Sequence, residues 1–205
     1  MEALPLAFTT GWASGVNAYA SVLLLGLLGR FAGVEQVPVA LTRTDVMIVA
    51  GMLFALEFVT DKVPYVDSAW DAISTLIRPT VGAVVAALMA SDAPTLQQAI
   101  VAATGGTAAL VSHLIKSSLR LAVNTSPEPV TNIAVSSGED VAVAGVVSLA
   151  AFHPVAAAVI AGILLLLGLL TAFLAIRAIR HGLARFRAWR ERGAGSPSAA
   201  ADRTT

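Results

Sequence analysis

The stretch HLIKSSLRLAVN, residues 113–124, sets His113, Lys116, Arg120 and Asn124 into a long apolar segment at spacings of three, four and four. That spacing places all four side chains on one face of a helix. At ~1.5 Å per residue the stripe covers roughly 16 Å, about half the depth of a hydrocarbon core. Charge at that depth is costly unless a partner, water or a solute path faces it. Two polar stretches, DKVPYVDSAWD at 61–71 and NTSPEPVTN at 124–132, carry acidic and amide groups that can answer it.

The rest of the chain fits a lipid setting. Of its 205 residues 57% are hydrophobic and 13% charged, with a mean hydropathy of +0.79. A soluble domain of this size could not hide so much apolar surface, so an all-α integral membrane bundle is expected. Without cysteine there is no disulfide, thiolate metal site or thiol chemistry. No basic patch is interleaved with aromatics, so nucleic acid is not an expected partner. The N-terminal MEALPLAF lacks the basic start of a secretory signal and reads as a retained first span.

Apolar runs place helices at about 4–29, 46–60, 77–90, 96–123, 141–152 and 154–176. The third and fifth are short for a bilayer unless the polar segments before them, DSAWDAISTLIRP and NIAVSSGED, continue into it. Broken or re-entrant helices are therefore expected in both places. Six spans with cytoplasmic termini put Lys62, Arg78, Lys116, Arg120 and the seven arginines from Arg177 to Arg203 inside, leaving Arg30 and Arg43 outside. Five spans result instead if His153-Pro154 is a kink. An offset of 65 aligns Pro64 with Pro129, Asp67 with Asn132 and Asp71 with Ser136, suggesting a parallel internal repeat. The membrane domain is expected over 1–176, a cytoplasmic amphipathic basic helix over 177–192, and a disordered tail over 193–205.

Several side chains carry two readings at this stage. Asp67, Asp71, Ser74 and Arg78 share a helical face. The two carboxylates either share a divalent cation or proton, or serve as a helix cap and an ion-pair partner. Glu57 and Asp61 match Lys116 and Arg120 at the inner ends of two helices, as a neutralising lattice or as a gate. Arg78-Pro79 reads as a hinge and charge partner. His113 reads as a packing residue that also permits proton coupling. Asn17 is expected to hydrogen-bond between helices, and Gly11 and Gly15 to allow close approach, within the bundle or at a dimer seam. Glu139 and Asp140 are expected at the start of the fifth helix, favourable for its dipole.

Three motifs in order, GWASGVNAYAS, EFVTDKVPYVDSAWDAISTLIRPTVGA and HLIKSSLRLAVNTSPEPVTNIAVSSGED, resemble a bacterial membrane-protein family with plant plastid relatives, domain of unknown function 4126. The resemblance covers residues 9–154 and implies a multi-pass membrane protein. It supplies no activity, substrate or catalytic residue.

The function expected from the residues is a small transporter or channel-like permease for a polar or ionic solute, in the bacterial cytoplasmic (inner) membrane. Its binding set would be Asn17, Asp61, Asp67, Asp71, Arg78, His113, Lys116, Arg120, Asn124, Glu128 and Asn132. An intramembrane enzyme or lipid transporter handling lipid phosphate through Lys116, Arg120 and Arg78 is the alternative. A membrane assembly scaffold with a purely structural charge lattice is the third reading. No catalytic residue and no cofactor are expected. The bilayer and the solute are the expected partners, with self-association left open.

Overall fold

A computed structural model describes residues 3–63, 65–124 and 129–194. Expectations that fell on Pro64, Glu128 and residues 195–205 lie outside the described residues. The described chain folds into α1 (Ala3–Phe31), α2 (Thr44–Thr60), α3 (Val66–Met89), α4 (Thr95–Val123), α5 (Pro129–Phe152) and α6 (Pro154–Ala194). All of these except α2 are long and apolar enough to cross a membrane. The 17 residues of α2 stand at the lower limit of spanning length. This is a helical membrane bundle.

The expected breaks in the third and fifth helices are not where the chain breaks. Both polar segments are helical: α3 starts at Val66 and α5 at Pro129. The reason is the phase of their polar residues. In α3 the buried side chains are Asp67, Asp71, Ser74, Arg78, Gly82, Val85 and Ala86, while Ile73 and Leu76 face outward. The helix is polar inside and apolar outside, which suits lipid, and it continues through Pro79 although that residue has no N–H to donate. Because α5 begins so early, Glu139 and Asp140 are not at its start; they lie near its middle. At His153 the chain separates α5 from α6, with Pro154 opening the next helix. The 41 residues of α6 extend roughly 60 Å at ~1.5 Å each, about twice a hydrocarbon core, so one end must project beyond it.

The real break is in α1, the helix that touches all five others. Asn17 has φ −150° and ψ 98°, an extended conformation inside an otherwise helical element. Its side-chain Oδ1 accepts the Ala20 N–H at 2.9 Å, which makes Asn17 an N-cap for the second half of the helix. An extended residue cannot continue the backbone ladder, so the carbonyls just before it are released for other partners.

Close packing around the break depends on small residues. A Cβ at Gly11 would stand 2.3 Å from the Gly105 carbonyl oxygen, and one at Gly15 would stand 2.2 Å from that of Ala109. A Cβ at Gly105 would meet Ala86 Cβ at 2.5 Å and the Gly82 oxygen at 2.6 Å. The Gly11/Gly15 face thus packs on α4 inside the bundle, and Gly105 sits between α1 and α3. Gly105→Ala is expected to destabilise by about 1–3 kcal/mol through overpacking. Gly145→Ala, where a Cβ meets nothing within 4 Å, should be neutral or mildly stabilising. Thermal unfolding in detergent compares the two; equal midpoints would contradict this packing.

Candidate functional site

The released carbonyls of α1 face cations of α3 and α4. Arg78 Nη1 donates to the Gly15 oxygen at 3.2 Å, and Lys116 Nζ donates to the Val16 oxygen at 2.8 Å. Ser112 Oγ donates to the Trp12 oxygen at 2.9 Å. The carbonyl end of a half-helix is its negative pole, so cations belong there. On the other side of the break, Asn17 Nδ2 donates to Asp140 Oδ1 of α5 at 3.2 Å.

Around this point the carboxylates gather. Arg78 Nη2 donates to Glu57 Oε1 and lies 3.1 Å from Asp71 Oδ1. Lys116 Nζ donates to Asp61 Oδ2 at 2.7 Å and lies 3.5 Å from Glu139 Oε2. Arg120 Nη2 bridges Asp61 Oδ2 at 2.9 Å and Glu139 Oε2 at 2.6 Å, with Asp67 Oδ2 3.6 Å from its Nη1. Lys62 closes the edge of the cluster, donating to Ser136 Oγ at 3.1 Å and standing 3.8 Å from Asp140. Asn124 Nδ2 donates to Asp67 Oδ1 and to Ser68 Oγ, both at 2.9 Å. Asn124 therefore joins the polar stretch 61–71 at one end of the bundle.

His113 is fully buried. Its Nδ1 lies 2.9 Å from Arg78 Nη1 and its Nε2 lies 3.0 Å from Thr75 Oγ1. A guanidinium only donates, so Nδ1 must accept and the neutral ring carries its proton on Nε2. Thr75 in turn donates to the Asp71 carbonyl at 3.0 Å. In this arrangement His113 fixes the position of Arg78.

Six carboxylates (Glu57, Asp61, Asp67, Asp71, Glu139, Asp140) face four cations (Lys62, Arg78, Lys116, Arg120). The surplus is two negative charges when all are ionised. Two clefts reach this interior. One of about 270 Å³, between α3 and α4, is lined by Ser68, Asp71, Ala72, Thr75, Ser117 and Leu121. The other, about 160 Å³, reaches Lys116 and Glu139 from the side of α6. At the far end of α2, by contrast, Arg43 and Asp45 form an exposed pair. Hydrogen bonding from Arg43 and from the Val46 N–H holds the Asp45 carboxyl down to about 2.

Of the expected binding set, Asp61, Asp67, Asp71, Arg78, His113, Lys116, Arg120 and Asn124 come together, and Asn17 joins them through Asp140. Asn132 is buried, but neither of its amide atoms has a partner among the described residues. Lys62, Glu57, Glu139 and Asp140 were not in that set. Glu57 and Asp61, one turn apart, already matched the basic stripe, whereas Glu139 and Asp140 were hidden by the misplaced start of α5.

These features define a class: a multi-pass helical membrane protein with an interior charge cluster built at a helix break. The chain belongs to the family described as Domain of unknown function (DUF4126), which matches residues 4–173. Comparison with curated proteins and with solved structures finds no significant match.

Asp61 holds two cations, so Asp61→Asn is expected to cost about 3–5 kcal/mol, the usual penalty for uncompensated buried charge. Adding Lys116→Gln should cost less than the sum of the two single changes, because it removes one of the orphaned charges. A double-mutant cycle by detergent-phase unfolding reads the coupling. Additive losses would mean that the two side chains do not share one network.

Proposed function

We propose that the protein is a small permease that passes a polar or ionic solute across the bacterial inner membrane through the charged cluster. The carrying observation is the break at Asn17, where freed backbone carbonyls and buried carboxylates meet beside two clefts. Irregular backbone at membrane depth is tolerated where it borders a cavity or a protein-lined path, and ion sites in transporters use the same device. The inner excess of Lys and Arg orients the polar end toward the cytoplasm.

The lipid-phosphate alternative relies on Arg78, Lys116 and Arg120. Each has a carboxylate within 3.1 Å, and a phosphate would have to displace it. A scaffold would need the lattice only for cohesion, and the surplus of carboxylates over cations does not serve that end. Solute exchange is better supported.

The test is reconstitution into liposomes with counterflow of labelled small ions and amino acids. Wild type should give saturable flux, and Asp71→Asn should reduce it by roughly tenfold or more, a loss of about 1.4 kcal/mol in the rate-limiting step. Flux unchanged in Asp71→Asn and in Lys116→Gln, with both variants folded, would overturn the reading.

A further inference from the structure

Among the buried side-chain atoms of the described residues without a hydrogen-bond partner, carboxylate and amide oxygens outnumber the N–H donors, which are Trp70 Nε1, Arg78 Nε, Arg120 Nε and Asn132 Nδ2. Glu57 Oε2, Asp61 Oδ1, Asp67 Oδ2, Asn124 Oδ1 and both carboxylate oxygens of Asp71 have no hydrogen-bond donor among the described residues. Every one of these atoms is an acceptor. Of the cluster's basic groups only Nε of Arg78 and Nε of Arg120 are unpaired. Buried acceptors without donors are costly, and the shortage is what a positively charged ligand would fill.

Position selects Asp71 among them. It is 3% exposed, yet it is among the residues that line the cleft of about 270 Å³ between α3 and α4. Arg78 on its own helix is 3.1 Å away and Arg120 of α4 is 4.0 Å away. Neither makes a hydrogen bond to its oxygens. Ser117, on the α4 wall of the cleft, donates its hydroxyl proton to the His113 carbonyl at 3.0 Å. Its oxygen also lies 3.4 Å from the protonated Nε2 of His113, which leaves one lone pair for a cation.

The donor set also limits the charge of the ligand. Divalent cations require several carboxylates or a full oxygen shell. Among the described residues no three His, Asp or Glu side chains are placed to hold a metal ion. One carboxylate with neutral hydroxyl oxygens matches a singly charged ion that keeps part of its water.

We propose that the α3–α4 cleft lined in part by Asp71 is a binding site for a small monovalent cation, with Asp71 as its anionic ligand and Ser117 as a neutral one. The proposal names the solute class for the permease reading and rests on that reading for movement across the bilayer. Binding itself does not need flux.

The experiment uses the full chain in detergent at fixed pH and ionic strength. Sodium, potassium and ammonium chlorides are titrated in exchange for N-methylglucamine chloride, followed by thermal unfolding and calorimetry. Magnesium and calcium chlorides form a separate arm. One or more of the small monovalent ions should stabilise the protein saturably. Asp71→Asn should weaken that binding by roughly tenfold or more, the scale of loss when a site loses an anchoring group. Ser117→Ala, at a half-buried position, should weaken it less, and Ser118→Ala should leave it unchanged. No response to any monovalent ion, stabilisation by lower pH alone, or a response confined to divalent ions would overturn the proposal. Cation binding without flux would leave the site standing and sink the permease reading. Anion flux without cation binding would do the reverse.

Discussion

The structure depends on the unwound residue at the centre of its most buried helix. Asn17 ends one half of α1 and caps the next. The break leaves main-chain acceptors in a region where lipid offers no donor, and such groups must be satisfied by protein. Arg78 and Lys116 satisfy them. Two cations at that depth then need anions, and Glu57, Asp71 and Asp61 follow from that need. His113, itself bonded to Thr75, holds Arg78 in place, and Ser112 donates to the Trp12 carbonyl of α1. The ion pairs around Arg78 and Lys116 are thus tied to that backbone irregularity.

Neutrality does not account for the sum of these residues. Cation–carboxylate pairs in a low-dielectric interior gain little net stability over well-packed apolar residues, because desolvation offsets attraction. A lattice serving cohesion alone would balance its charges and fill its acceptors. Here carboxylates outnumber cations, and unfilled oxygens remain on Glu57, Asp61, Asp67, Asp71, Asp140, Asn124 and Asn132. The glycine contacts among α1, α3 and α4 explain how three backbones come near enough to make this possible. Without a Cβ at Gly11, Gly15, Gly82 and Gly105, the carbonyls of α1 stand within reach of side chains from both neighbours.

Much of the fold was legible in the sequence. The stripe His113–Lys116–Arg120–Asn124 was at helical spacing, and all four residues do face the interior. The matching stripe on α3 carried the same information. Averaging polarity over DSAWDAISTLIRP suggested a break, whereas the phase of Asp67, Asp71, Ser74 and Arg78 already described a helix with its polar face inward. Asn17 showed the opposite problem. Asn is an ordinary residue on helix-propensity grounds, and its neighbours are small and apolar, so no local signal marked it as a cap. The break follows from partners more than fifty residues away, which no window of sequence contains.

The least anchored part of the cluster is α2. Its only buried residues are Ala50 and Glu57, and an apolar cleft of about 360 Å³ is lined by Tyr19 and Val22 of α1 and Leu53 of α2 among others. Its C-terminal end is held by Glu57 on Arg78 and by Asp61 on Lys116 and Arg120, including a bond from Arg120 Nη1 to the Asp61 carbonyl at 3.0 Å. Apolar packing is insensitive to the charge state of the interior, but such a tether is not. Whatever changes the charge that Arg78, Lys116 and Arg120 face also changes the grip on α2. The helix with few buried residues is therefore the one whose position is tied most directly to the charge of the cluster.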